Sequence, residues 1–138
     1  MMTLSALIIV VAFGAVPAEA APSAAHVGYV DFIYLVDHHP DTAKANEAMM
    51  AEQEAAKNEF AEKAVSLSET GKRELDRQLG QRLAQKRLEL LKPIADKVVA
   101  AAKEVADAKG LSIVIGKREV VCGGVDITED VLKKITGK

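Results

Sequence analysis

Between Asp41 and Lys109 small and apolar residues are finely mixed with charged ones, in a composition rich in Ala, Glu, Lys, Gln and Leu, with no Gly or Pro before Gly71. Such a stretch favours long, solvent-exposed helix. Outbound, Met49, Ala56, Phe60 and Leu67 make a thin apolar seam; inbound, Leu75, Leu79, Leu83 and Leu90 answer it, with Lys63 and Lys86 interrupting. The pattern predicts a helical hairpin over residues 41–109. Ser66-Leu67-Ser68-Glu69 has the Ser-x-x-Glu form of a capping box, which places the hairpin tip at 66–71. At about 1.5 Å per residue the outgoing helix, 41–65, would be roughly 37 Å long and the returning one, 69–109, roughly 60 Å.

Pro93 falls almost level with the start of the outgoing helix, where it can remove a backbone hydrogen bond and kink the returning helix. Around and beyond it, Leu91, Ile94, Val98, Ala101, Val105 and Ala108 recur at spacings of three and four, so this segment is expected in a core. By contrast, so little apolar surface in the arm predicts a slender, flexible projection.

The flanks read as a small body. His26 to Val36 has strand character, with Val30, Phe32 and Tyr34 at period two, and Pro40-Asp41 hands the chain to the arm. After Lys109-Gly110 closes the long helix, Leu111 to Ile115 reads as a strand, Gly116-Lys117-Arg118 as a turn and Glu119 to Cys122 as an antiparallel partner. Asp126-Ile127-Thr128-Glu129 reads as a second capping box, opening a short helix through Ile135. The fold class expected is α+β, a long coiled-coil-like arm on a three-stranded body made from 21–40 and 110–138. Open strand edges, and fewer than about 50 residues outside the long helices, predict that the body oligomerises.

The amino terminus changes the picture of where the chain works. Leu4 to Val16 is an apolar run followed by Pro17 and by Ala18-Glu19-Ala20, a small-x-small cleavage pattern. Residues 1–20 are expected to be a secretory signal peptide cleaved after Ala20, since the run is short of the about 20 residues a membrane span needs. Residues 21–25 read as a linker.

Charge and chemistry narrow the function classes. A formal net charge of −2 among 138 residues argues against a nucleic-acid binder. Locally, however, residues 63–92 carry eight basic side chains against four acidic ones. Lys72, Arg73, Arg77, Arg82, Lys86 and Arg87 are the candidate contacts of this basic arm, suited to acidic polypeptides or, weakly, to an anionic membrane surface. Met50 and Leu88 fall off the seam and are candidate apolar contacts. His26, His38 and His39 with Asp37 and Asp41 match no established metal-ligand spacing, so no metal is expected. Cys122 reads as a buried strand thiol, with an intermolecular disulfide as the alternative. No Ser/His/Asp set or phosphate-cradling glycine loop is recognisable, so neither catalysis nor a cofactor is expected.

The signal peptide, the opening Val27-Gly28-Tyr29-Val30-Asp31, the mixed-charge hairpin, Leu111 to Ile115 and above all Asp126-Ile127-Thr128-Glu129-Asp130-Val131-Leu132-Lys133-Lys134-Ile135 together resemble the Skp/OmpH family of periplasmic chaperones. The resemblance covers essentially the whole mature chain. It implies a homotrimer whose strands form a central barrel and whose three hairpins surround a cavity. It also implies ATP-independent holding of unfolded outer-membrane proteins in the periplasm. This chain departs from the strongly basic members in being slightly acidic overall. A different reading of the same residues is a structural spacer or tether of the cell envelope, and a cytosolic scaffold would require residues 1–20 to be retained.

Overall fold

The computed structural model describes residues 26–138. In chain order it contains β1 (Val27–Val30), α1 (Phe32–Asp37), α2 (Thr42–Ala64), α3 (Glu69–Ala108), β2 (Ile113–Gly116), a 3₁₀ turn (Lys117–Glu119), β3 (Val125–Asp126) and α4 (Thr128–Thr136). α2 and α3 pack against each other as the hairpin, and the remaining elements gather around the C-terminal end of α3.

The sheet is wholly parallel, with β1 central in the order β2-β1-β3. Val27 pairs with Ile113 and Val30 with Gly116 on one side, and Gly28 with Val125 on the other. This corrects the antiparallel hairpin expected from residues 111–122. Lys117–Glu119 form a helical turn instead of a hairpin loop, and Cys122, expected to be a buried strand thiol, is exposed in the segment that follows. The physical reason lies at Gly123 and Gly124, whose φ values of 75° and 88° let the chain double back to the far edge of β1. A Cβ at Gly124 would sit 3.1 Å from the Tyr29 ring and 3.3 Å from the Val27 carbonyl oxygen, so a side chain would crowd that return.

The first strand is shorter than the apolar run that suggested it. Asp31 ends it: its Oδ1 accepts the Tyr34 amide at 3.2 Å, an N-cap that starts α1 where alternation predicted strand. The turn into α1 buries Leu35 completely, a gain that extended backbone from 32 to 36 would forgo. Leu35 joins Val30, Val98, Ala101, Ala102, Ile127 and Val131 in the body core. Leu35, Ile127, Val98 and Val131 are essentially sealed from solvent, worth about 1.5–3 kcal/mol apiece before entropy is counted.

The buried row of α3 in and below the arm base is Ile94, Val98, Ala101, Ala102 and Ala106, whereas Ala108, read as part of the seam, is exposed. α3 continues through Pro93, which lies on its solvent side. Both capping boxes also resolve differently. Ser68, not Ser66, caps α3 by accepting the Gly71 amide at 3.2 Å, while the Ser66 hydroxyl donates back to the Lys63 carbonyl at the end of α2. Gly71 therefore lies inside α3, and the tip is the short link 65–68. At α4, Asp126 Oδ1 accepts the Thr128 amide, and the Thr128 hydroxyl accepts the amide of Asp31.

Among the described residues no helix is long and apolar enough to cross a membrane. The expected signal peptide 1–20 and linker 21–25 lie outside the described residues.

Candidate functional site on the helical arm

The arm is held by a very small apolar core. Ala56 of α2 and Leu75 and Leu79 of α3 are buried, with Phe60 and Leu83 packed against them. α2 contributes only the small Ala56 to the buried part of this cluster, and polar contacts supplement the seam. The chief of these is Arg82, whose Nε lies 2.9 Å from Glu52 and whose Nη1 lies 2.7 Å from Glu59. Glu52 and Glu59 are seven residues apart, two helical turns, so one arginine on α3 clamps one face of α2. Hydrogen bonds from Lys63 and then Arg82 hold the Glu59 carboxyl below its ordinary range. The Glu59 hydrogen bond raises Arg82 in turn.

The six basic candidates thus divide. Arg77 grips Glu74 with two bonds, of 3.0 Å and 2.6 Å, and with Gln78 assisting it lowers that carboxyl to about 2. Lys72 pairs with Glu69 at 2.8 Å, and Arg82 is engaged in the clamp. Arg73, Lys86 and Arg87 form no ion pair among the described residues, which leaves their charge available to a partner. α2 partly offsets the cationic stretch, carrying Glu47, Glu52, Glu54, Glu59 and Glu62 against Lys44, Lys57 and Lys63. Positive charge therefore sits on the α3 side of the arm and not over its whole surface.

Both apolar candidates are open to solvent, Met50 at 68% and Leu88 at 71% of full exposure. Met50 borders an open groove of about 460 Å³ at the base of the arm, lined also by Val36, Met49, Arg87, Leu90 and Leu91. Leu88 lies outside it. Sequence reasoning did not find this groove, because its walls come from α1, α2 and α3 together. The one local signal is the adjacent apolar pair Leu90-Leu91 on α3 together with Met49-Met50 on α2, both of which line the groove.

At the base, Asp41 pairs with Lys97, which fixes the start of α2 beside α3 one turn beyond Pro93 and lowers the Asp41 carboxyl. His39 is buried, and its Nδ1 accepts the Asp41 amide at 3.1 Å, which places the neutral ring's proton on Nε2. His38 Nδ1 instead donates to the Tyr34 carbonyl, with its ring centroid 4.0 Å from that of Tyr34 and the two planes tilted by 32°. Among the described residues no three His, Cys, Asp or Glu side chains converge as a metal cluster. What this surface offers chemically is reversible contact, with shallow apolar patches beside uncompensated cations.

Comparison with known proteins bears on the same region. No curated protein matches the chain significantly. The family model described as outer membrane protein (OmpH-like) matches residues 68–135, from the Ser68 cap through all of α3 and the sheet's β2 and β3 into the last turn of α4. The stretch matched includes both the basic side of the arm and the Asp126 to Ile135 segment that carried the resemblance, and the match supports assigning the chain to the OmpH-like family, a family of periplasmic chaperones.

Proposed function

We propose that this protein is an ATP-independent holdase that keeps unfolded outer-membrane protein precursors from aggregating in the periplasm, between the helical arms of a homotrimer. The observation that carries the reading is the arm itself. It is a hairpin with three buried side chains in its own core, and it carries exposed Met50 and Leu88 along with Arg73, Lys86 and Arg87 free of described ion pairs. An unfolded client has no fixed shape to match, so many weak contacts on a slender projection suit it better than one deep pocket.

The trimer rests on the sheet. Among the described residues β2 and β3 each pair only with β1, which leaves an open edge on either side. Apolar side chains stand exposed at or beside those edges, Ile113, Val125 and, most of all, Val121 at 98%. Edge-to-edge closure with further copies would remove both liabilities. Export through cleavage after Ala20 completes the proposal, and weak attraction of the α3 side to anionic membrane surfaces is a secondary role. A second reading, the envelope spacer, draws support from the Arg82 clamp and from a 40-residue α3 that runs unbroken through Pro93.

A photo-crosslinking residue placed at Arg73, Lys86 or Leu88 separates the two. The holdase reading expects adducts with an unfolded outer-membrane barrel protein and none with its folded form, at a native mass of three chains. A spacer would give adducts with neither.

A further inference from the structure

The two flanks of the arm are unlike. Arg82 and Arg87 are five residues apart on α3 and so point about 140° apart around the helix. On the Arg82 flank the helices are tied by the Glu52 and Glu59 bonds. On the Arg87 flank they part around the groove of about 460 Å³ lined by Val36, Met49, Met50, Leu90, Leu91 and Arg87. That volume lies within the roughly 300–1,000 Å³ of pockets that enclose organic groups.

Val36, Met49, Met50, Leu90 and Leu91 give the groove an apolar lining whose methionines repack around differently shaped apolar groups, and Thr42, Asn46 and Gln53 add neutral polar groups beside them. Arg87 stands at the rim with no ion pair among the described residues, and an arginine beside an apolar surface is a strong partner for a carboxylate. The other ionisable lining group, Asp37, belongs to the α1 end and disfavours a second carboxylate there. Charge along the groove is thus asymmetric.

We infer that this groove is a client subsite selective for an aromatic or long aliphatic side chain with an Asp or Glu within two residues of it. The inference rests on the holdase reading and adds to it a specificity for local sequence. An unfolded chain would be held at the arm base by such anchors while the outer arm makes unspecific contact. Because the groove is walled by α1 as well as by both arm helices, an anchor there touches the body and the arm at once.

Met49 and Met50 are the only methionines among the described residues, and both line the groove. Their ¹³C-labelled methyl groups, assigned through Met50→Leu in the full chain, report occupancy directly. The probes are short glycine-serine peptides with a central phenylalanine followed by aspartate, by asparagine or by lysine. The subsite predicts saturable methyl shifts, with the aspartate peptide roughly two- to fivefold tighter than the lysine peptide, the range of an exposed charge pair. Arg87→Ala should abolish that preference while the phenylalanine-driven shift persists.

Equal binding of all three peptides, or no methyl shift, would overturn the proposal. So would shifts that follow protein concentration and ignore peptide, which would assign the groove to a second copy of the chain. A turbidity assay on the same preparation separates the levels: suppressed client aggregation with no peptide effect overturns the subsite alone, whereas failure of both overturns the holdase reading too.

Discussion

The backbone amide of Asp31 donates to the hydroxyl oxygen of Thr128 at 2.9 Å, joining residues 97 apart in sequence. The same Asp31 caps α1 with its side chain, and Thr128 opens α4, so one bond locks the exit of β1 to the entry of the last helix. Thr128→Val keeps the shape and removes the acceptor, leaving a part-buried amide unpaired. The expected loss is about 1–3 kcal/mol in urea unfolding, and Thr128→Ser should recover most of it.

Gly80 lies in the exposed middle of α3, and a Cβ built there meets nothing within 4 Å. The glycine therefore costs helix stability with no packing return. Gly80→Ala should stabilise the chain by roughly 0.5–1 kcal/mol, read as a higher unfolding midpoint. An unchanged or lowered midpoint would show that this part of α3 needs backbone freedom.

Arg82 separates structure from binding within the basic arm. Arg82→Gln should speed amide hydrogen exchange around Glu52, Glu59 and Leu79 while the core about Leu35 and Val98 stays protected. Arg73→Gln should leave exchange unchanged and weaken only client contact. Equal effects of the two would contradict the clamp.

Acid should unfasten the arm. Arg77 holds Glu74 at about 2 against an ordinary 4.5. Glu59 is lowered from 4.5 by Lys63 and Arg82, and Asp41 and Asp130 are lowered from 3.8 by Lys97 and Lys109. A carboxylate depressed in the fold contributes stability that is fully present above its unfolded pKa and is lost as pH falls through its folded value. The thermal midpoint should thus be nearly flat above pH about 5 and decline from about 4.5 towards 2, with exposed pairs giving a shallow slope that high salt reduces further.

The arm was legible in the sequence because its signals are local: helix-forming residues for 60-odd positions, a serine-rich break and a three-four apolar spacing are each read without knowing a neighbour. The body was not, for reasons specific to a few residues. Val30, Phe32 and Tyr34 alternate as a strand would, yet the Asp31 cap and the burial of Leu35 turn that run into α1. Glu119 to Cys122 reads as the second strand of a hairpin, while the left-handed backbone of Gly123 and Gly124 returns the chain to β1 as a parallel edge. The groove beside Arg87 depends on three helices meeting, and the engagement of Arg82 depends on two carboxylates across the hairpin. Neither arrangement leaves a mark in any one stretch of sequence.

The most direct test of the account is light-scattering turbidity of a urea-unfolded outer-membrane barrel protein diluted into buffer without nucleotide, with and without the purified chain, alongside its native mass. The account predicts a three-chain assembly that suppresses aggregation at near-stoichiometric amounts. An oligomer that leaves turbidity unchanged would contradict the holdase function and favour the spacer, and a monomer would contradict the architecture on which the function rests.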